Sequence, residues 1–284
     1  MAVSRRAVLL GGVVGAAGAA GVVGGGYFAV DSGLLPGRAR FRRALGLTGE
    51  DGVVPNAEPV PTRTVRRFSK ARGTEISMIA MAPPGAKNVC VALHGGSAEA
   101  GYWLDLGLPR FLGAAFAAGV PPFAVVAVDG GRDSYWHELH QGDDPQLMLV
   151  KELPAWLSRM GLAPPSLALG ISMGGSGALQ YARLRGGTLK GVAAVSPALF
   201  PTWKDSTTVG AYADQADWAA HEPLNAAGPV AGHLGVWCGT DDPFYKPARA
   251  LSGAEHTSFT PGLHSIGYWR RVLPDVLTFL GGAL

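Results

Sequence analysis

Cysteine is scarce in this sequence. Cys90 and Cys238 are the two cysteines among 284 residues, and each lies inside an apolar stretch. Two cysteines exclude a disulfide scaffold, and they form no zinc-binding pattern. Neither cysteine lies in the N-terminal region, so a lipid-anchored lipoprotein is not indicated.

Charge is scarce as well. Charged residues make up 16% of the chain and hydrophobic residues 48%, a balance that is typical of globular proteins and opposite to that of disordered chains. The net charge is +3, and without the two charges of Arg5 and Arg6 it would be +1. Basic residues cluster only between Gly37 and Arg43, so we expect no nucleic-acid partner.

The N-terminus, MAVSRRAVLLGGVVGAAGAAGVVGGG, indicates an export signal. Ser4, Arg5 and Arg6 precede a weakly hydrophobic run rich in glycine and alanine, which resembles a twin-arginine signal. The run 7–23 approaches the roughly 20 residues of a membrane span, and no clear Ala-x-Ala cleavage site follows it, so an uncleaved anchor is the alternative. We assign residues 1–29 to a signal peptide or anchor. We expect an exported protein that is extracellular, in the cell envelope or anchored on the outer side of the membrane.

The remaining chain divides into a linker and one domain. Residues 30–62 contain four prolines and an arginine cluster without sustained periodicity, which indicates a linker or irregular lead-in. Residues 63–284 alternate between strand-like and helix-like stretches, beginning with a predicted antiparallel hairpin at 65–69 and 75–81. Runs that are apolar throughout indicate strands covered on both faces, and the helices between them indicate right-handed crossovers. The prediction is a three-layer α/β sandwich with a mostly parallel sheet. Its buried strands are 88–93, 123–128, 167–171, 191–195 and 234–238, and its main helices are 108–118, 146–160, 174–185 and 265–280.

One serine lies where a buried strand meets a helix. The stretch GISMG places Ser172 between Gly170 and Gly174, the G-x-S-x-G pattern of a sharp turn that exposes a serine hydroxyl at the carboxyl edge of a sheet. A glycine-rich turn alone would also give this pattern. The strand before it and the helix after it favour a nucleophile, which needs a histidine base and an acid.

Four histidines follow Ser172, and their positions distinguish them. His233 precedes a strand, His256 lies inside the stretch EHTSFT, and His221 lies in a helix-like segment before the candidate acids. His264 lies between the last strand and the last helix, where the base of this chain order belongs. For the acid we choose Asp242, because the spacing from Gly239 matches the usual acid loop; Asp241 is the alternative, and either could instead cap a helix starting near Pro243.

The oxyanion of an acyl-transfer reaction needs two donors. One is predicted to be the Met173 amide at the start of the helix, and the other the Gly96 amide in the stretch LHGGS, with Gly95 next. His94 is expected to orient this loop rather than to act as the base.

Together, the stretches LHGG, VDGGRDSYWHE, GISMGGSGAL, CGTDDPFY and GLHSIGYWRR identify the chain as a member of the esterase family that includes esterase D, feruloyl esterases and the mycobacterial mycolyltransferases. The resemblance covers about residues 62–284. It implies an α/β-hydrolase fold, Ser172 as nucleophile, Asp242 as acid, His264 as base, and Gly96 with Met173 as oxyanion donors. The export signal departs from the cytosolic glutathione-thioester hydrolases, and the lipid-binding residues of the mycolyltransferases find no match.

These observations predict an exported serine carboxylesterase that acts on a small-molecule, lipid or sugar ester without a cofactor. An acyltransferase acting on a sugar or lipid hydroxyl would use the same three residues, and a noncatalytic envelope protein would keep only the fold. A peptidase has less support because the chain has no room for a propeller or large lid. Tyr135 and Trp136 are predicted to line the acyl pocket. The stretch HELH, from His137 to His140, is one residue short of the zincin spacing, so we predict no catalytic metal.

Overall fold

The computed structural model describes residues 38–226 and 233–284, and the predicted signal or anchor at 1–29 lies outside these residues. The chain divides into two compact units, 1–49 and 50–284. Within the first, the described residues form a short helix, α1 (Arg38–Ala44), in the stretch predicted to be a linker. Within residues 38–226 and 233–284, no helix combines the length and apolar character that a membrane span requires.

In the part of the chain that the structure describes, eight strands form one sheet in the order β1-β2-β4-β3-β5-β6-β7-β8. The first two strands form the predicted antiparallel hairpin, and β2 is also antiparallel to β4. The other neighbours are parallel, which confirms the predicted mostly parallel sheet. The strands are β1 Thr62–Ser69, β2 Thr74–Met81, β3 Val89–Leu93, β4 Ala124–Val128, β5 Leu167–Ile171, β6 Gly191–Val195, β7 Leu234–Gly239 and β8 His256–Thr260.

Helices cover both faces of this sheet. In β3, Val89 and Val91 pack into the hydrophobic cluster on one face while Cys90 packs into the cluster on the other, because successive strand residues point to opposite faces. β3 to β7 are buried throughout, which explains their unbroken apolar runs. The helices are α1 Arg38–Ala44, α2 Tyr102–Asp105, α3 Leu108–Ala117, α4 Pro145–Leu147, α5 Leu153–Ser158, α6 Met173–Leu184, α7 Trp203–Thr207, α8 Gln215–His221, α9 Tyr245–Ala250 and α10 Ile266–Gly282.

The helix predicted over 146–160 is less regular than its sequence suggests. A π-helical stretch, Met148–Glu152, separates α4 from α5. Asp144 caps the start of α4, where the side chain accepts from the Leu147 N–H at 2.9 Å, whereas the neighbouring Asp143 forms an ion pair with Arg72 at 2.6 Å. The helix expected near Pro243 begins at Tyr245.

Candidate active site

The turn at Ser172 is sharp and leaves no space for side chains at its glycines. Ser172 has φ +57° and ψ −121°, a conformation that non-glycine residues rarely adopt. A Cβ added to Gly170 would collide with the backbone of Gly174, and one added to Gly174 would collide with the backbone of Leu93. Close backbone packing therefore requires both glycines and holds the serine at the carboxyl end of β5.

The end of β6 supports this turn. The Ser172 N–H donates to the Val195 carbonyl at 2.9 Å, and the Ala198 N–H donates to the Ser172 carbonyl at 3.0 Å. The next residue after β6, Ser196, accepts from the Trp269 indole N–H at 3.1 Å. One strand end thus holds both the serine and an aromatic ring of α10.

The structure brings Ser172, His264 and Asp242 into one hydrogen-bonded chain. His264 Nε2 lies 2.9 Å from Ser172 Oγ, and His264 Nδ1 lies 2.8 Å from Asp242 Oδ2. A carboxylate only accepts hydrogen bonds, so the proton belongs on Nδ1 and the Nε2 lone pair faces the serine hydroxyl. This arrangement suits Nε2 to take a proton from Ser172.

Asp242, rather than Asp241, contacts the histidine. The Asp242 side chain is fully buried, and its Oδ1 accepts from the Phe244 N–H at 2.9 Å. The His264 ring lies edge-on between Phe244 and Trp269, at centroid distances of 5.4 and 5.0 Å. Both the tautomer and the orientation of the imidazole are therefore constrained.

A cavity of about 170 Å³ adjoins Ser172 and His264, and Gly95 and Gly96 line it. Gly95 is the closer glycine, since a Cβ added there would lie 3.4 Å from Ser172 Cβ, whereas a Cβ on Gly96 would lie 3.8 Å from its nearest neighbours, in Arg132 and Asp133. Among the residues that the structure describes, the N–H groups of Gly95, Gly96 and Met173 have no protein acceptor. The assignment of Gly96 and Met173 as oxyanion donors stays a prediction, with Gly95 the alternative.

His94 connects two loops and is not positioned as a base. Its Nε2 accepts from the Gly130 N–H at 3.0 Å, and its Nδ1 lies 2.9 Å from the Gly95 carbonyl. Burial lowers the pKa of this imidazole, which favours the neutral form that can accept from one loop and donate to the other. These contacts suit the predicted orienting role.

The prediction that Trp136 lines an acyl pocket is wrong for this structure, because its side chain is fully buried. The indole N–H donates to the His94 carbonyl at 3.1 Å, and no space separates the ring from Gly130 and Gly177. Tyr135 packs edge-on against Phe200 and is not among the residues lining the Ser172 cavity, so its role stays a prediction.

Two aromatic residues that the sequence analysis did not select, Tyr102 and Trp269, line the Ser172 cavity. Their rings meet edge to face at 6.2 Å. Trp269 lies five residues after His264 in the predicted last helix, so its proximity to the base was a usable signal. Tyr102 lies in a short helix with no motif of its own.

Glu222 is a buried acid near this site. Its side chain accepts hydrogen bonds from Phe200 N–H and Tyr212 O–H at 3.0 Å and from Leu224 N–H at 3.1 Å. Burial outweighs these contacts and raises the pKa of the Glu222 carboxyl from 4.5 to about 7. Since Phe200 packs against Phe244, this acid supports the aromatic cluster behind the candidate base.

We expect Glu222 to make folding stability depend on pH. The folded state holds the proton more tightly than the unfolded chain, so the contribution of this group falls as the pH rises from about 4.5 to about 7, by roughly 3 kcal/mol. Glu222→Gln stays neutral at every pH. As the pH rises from 5 to 8, its free energy of unfolding should therefore increase relative to that of the unmodified chain. Urea unfolding at both pH values measures this difference. Glu75→Gln, at an exposed site, is the control; an unchanged difference for Glu222→Gln would contradict the expectation.

Residues 105–280 match the family described as "Putative esterase". Comparison with curated protein sequences gives no significant match.

Three solved structures illustrate the similarity of fold. A ferulic acid esterase has a TM-score of 0.67 and 17% identity, over 81% of this chain and all of that one. An S-formylglutathione hydrolase from Agrobacterium tumefaciens has a TM-score of 0.64 and 18% identity, over 78% of this chain and 95% of that one. MPT51 from Mycobacterium tuberculosis has a TM-score of 0.62 and 21% identity, over 79% of this chain and 99% of that one. At such identities the similarity shows the fold, that of the α/β hydrolases.

Proposed function

We propose, from the premise that this chain belongs to the Putative esterase family, that it hydrolyses carboxylic esters through a serine nucleophile. Family membership supports ester hydrolysis. The proposal of a serine nucleophile depends on one observation, the hydrogen-bonded chain from Ser172 through His264 to Asp242.

In the proposed reaction, His264 Nε2 takes the proton of Ser172 as Oγ attacks the ester carbonyl carbon. The tetrahedral intermediate collapses when the same nitrogen protonates the departing alcohol, which leaves an acyl-serine. Water, deprotonated by His264, then attacks the acyl carbon, and the acid departs as Ser172 regains its proton. Asp242 keeps the proton on Nδ1 and stabilises the imidazolium that forms in each half of the reaction.

The negative charge on the carbonyl oxygen requires fixed donors. The N–H of Met173, at the N-terminus of α6, and that of Gly96 or Gly95 are proposed to supply them, since none of these groups has a protein acceptor in the described part of the chain. Each such donor contributes about 3 kcal/mol to transition-state stabilisation. No step of the proposed reaction requires a cofactor.

Export of the chain is part of the same proposal, and the twin-arginine-like sequence at its N-terminus supports it. The uncleaved anchor is the alternative. Replacing Arg5 and Arg6 with lysine and fractionating the cells tests whether this segment directs export.

We expect water, rather than a sugar hydroxyl, to resolve the acyl-enzyme. With a chromogenic short-chain ester and increasing concentrations of a sugar acceptor, free acid should remain the main product, because the cavity of about 170 Å³ beside Ser172 has little room for both an acyl group and an acceptor. Chromatography of both products measures the partition. A new sugar ester formed faster than free acid would favour the acyltransferase. If no ester is hydrolysed and the serine is not covalently labelled, the noncatalytic alternative is favoured.

A further inference from the structure

Three side chains that commonly bind metal ions converge away from the Ser172 cavity. His137 Nε2 lies 3.1 Å from Asp217 Oδ2, and His221 Nδ1 lies 2.6 Å from Asp217 Oδ1. One ligand atom from each residue lies within 4.8 Å of the others. The partner of His137 is therefore not His140 of the stretch HELH but a pair of residues some 80 positions later.

Local structure places these side chains on adjoining elements. Asp217 and His221 are four residues apart in α8, which puts them on the same face of the helix. Asp217 is further fixed by the Ala213 N–H, which donates to its carboxylate at 2.8 Å. The His137 side chain is 2% exposed and stacks on Tyr212, whereas the His221 side chain is 44% exposed. His137 and Asp217 are thus the more buried ligands, whereas the half-exposed His221 ring contacts Asp217 and stacks on His137.

A cavity of about 480 Å³ opens beside the two histidines. Glu138 and Asp144 contribute negative charge to its wall and Arg183 contributes positive charge. Asp217 adds a further carboxylate beside the two histidines. The cavity can therefore admit water or another ligand to a cation bound by the three residues.

Two buried glutamine side chains in the same wall have amide oxygens that accept no hydrogen bond from the described residues. Gln146 is 5% exposed and Gln180 is 4% exposed. Their nitrogens donate to the carbonyls of Gly177 and Tyr135, but within the described residues neither amide oxygen has a partner. Buried acceptors normally find a donor, and water bound to a cation is a strong one.

We propose that His137, Asp217 and His221 bind a divalent transition-metal ion, with Zn²⁺ as the best match. Two imidazoles and one carboxylate are borderline ligands that suit Zn²⁺, and they leave a fourth position open to the cavity. In a tetrahedral site with bonds of about 2.1 Å, two ligand atoms lie about 3.4 Å apart. The ligand atoms now lie within 4.8 Å of one another, so the widest separation has to shorten by up to about 1.4 Å.

The His221 side chain supplies that closure. The rings of His137 and His221 are now stacked, with centroids 4.8 Å apart and planes 17° apart, so their nitrogens point nearly side by side rather than at one centre. Tilting the exposed His221 ring brings its nitrogen toward the ion, while His137 and Asp217 stay in place. The bound ion would join α8 to the loop after β4, which stabilises this part of the fold independently of the proposed chemistry at Ser172.

The test uses the full chain without a histidine tag, stripped of metal with a chelator. Calorimetric titration with Zn²⁺ should show one saturable site, and Zn²⁺ should raise the melting temperature. Titration with Co²⁺ should produce the visible absorption of a four-coordinate site. His221→Ala and Asp217→Asn should each weaken Zn²⁺ binding at least by the 10- to 100-fold typical of losing an outer partner. Circular dichroism of each variant establishes that it is folded.

Two control variants test whether Zn²⁺ binding is specific to the three proposed ligands. His256→Ala removes a histidine that is paired with Asp275, and His264→Ala removes the candidate base; both should bind Zn²⁺ as the unmodified chain does. The proposal is overturned if no saturable site appears, if His221→Ala and Asp217→Asn bind with unchanged affinity, or if His264→Ala abolishes binding. Because metal binding is read directly, these outcomes are independent of whether the chain hydrolyses esters.

Discussion

Ser172→Ala is expected to lower kcat for ester hydrolysis by roughly 10⁴- to 10⁶-fold while the chain stays folded. The substitution removes the only atom that forms a covalent bond with the acyl group in the proposed reaction, and alanine leaves the turn and its two glycines unchanged. Residual turnover would come from the oxyanion donors and from substrate binding alone. Initial rates with a chromogenic ester, compared with thermal unfolding curves, separate loss of chemistry from loss of fold.

Ser166→Ala is the matched control for this variant. Ser166 immediately precedes β5 and Ser172 immediately follows it, so the two substitutions remove the same atom at opposite ends of one strand. A fluorophosphonate probe should label the unmodified chain and Ser166→Ala but not Ser172→Ala. Labelling that persists in Ser172→Ala, or a rate that is unchanged in it, would refute the assignment of the nucleophile.

Asp242→Asn is expected to lower kcat by about 10⁴-fold, as for the acid of other triads. The amide can donate a hydrogen bond to His264 Nδ1, which would place the imidazole proton on Nε2, facing Ser172, where a lone pair is needed. The variant should retain its fold because the two side chains have the same shape. Rates with the same ester across a range of pH measure the effect.

Asp241→Asn gives the sharpest comparison, since it makes the same chemical change one residue earlier. The structure pairs His264 with Asp242, so Asp241→Asn should lose far less activity than Asp242→Asn. A larger loss for Asp241→Asn would show that the other aspartate is the acid. Equal and small losses would remove the acid from the proposed mechanism.

The sequence predicted the fold and the meeting of Ser172, His264 and Asp242 because the signals for them are local. Buried parallel strands are apolar throughout, and the ends of such strands meet at one edge of the sheet. Gly170 is required by its contact with Gly174, four residues later, whereas Gly174 is required by its contact with Leu93 in a neighbouring strand. Position relative to strands separated His264 from the other histidines. Spacing alone left Asp241 open as the acid, and in the structure it is Asp242 that hydrogen-bonds to His264.

The position of Trp136 could not be predicted in this way. Tyr135 and Trp136 have φ values of +47° and +61°, a backbone conformation that is not predicted from these residue types. This turn sends the indole inward against Gly177, which belongs to a helix some 40 residues later. The pairing of His137 with Asp217 likewise depends on two segments distant in the chain, for which neither stretch carries a local signal.

The shared support at the end of β6 has a consequence for heat resistance. Val195 holds the backbone of Ser172, the candidate nucleophile, and Ser196 holds the Trp269 indole that flanks His264, the candidate base. One central strand therefore supports Ser172 directly and His264 through a neighbouring ring. We therefore expect the esterase activity to persist on heating until the central strands of the sheet unfold.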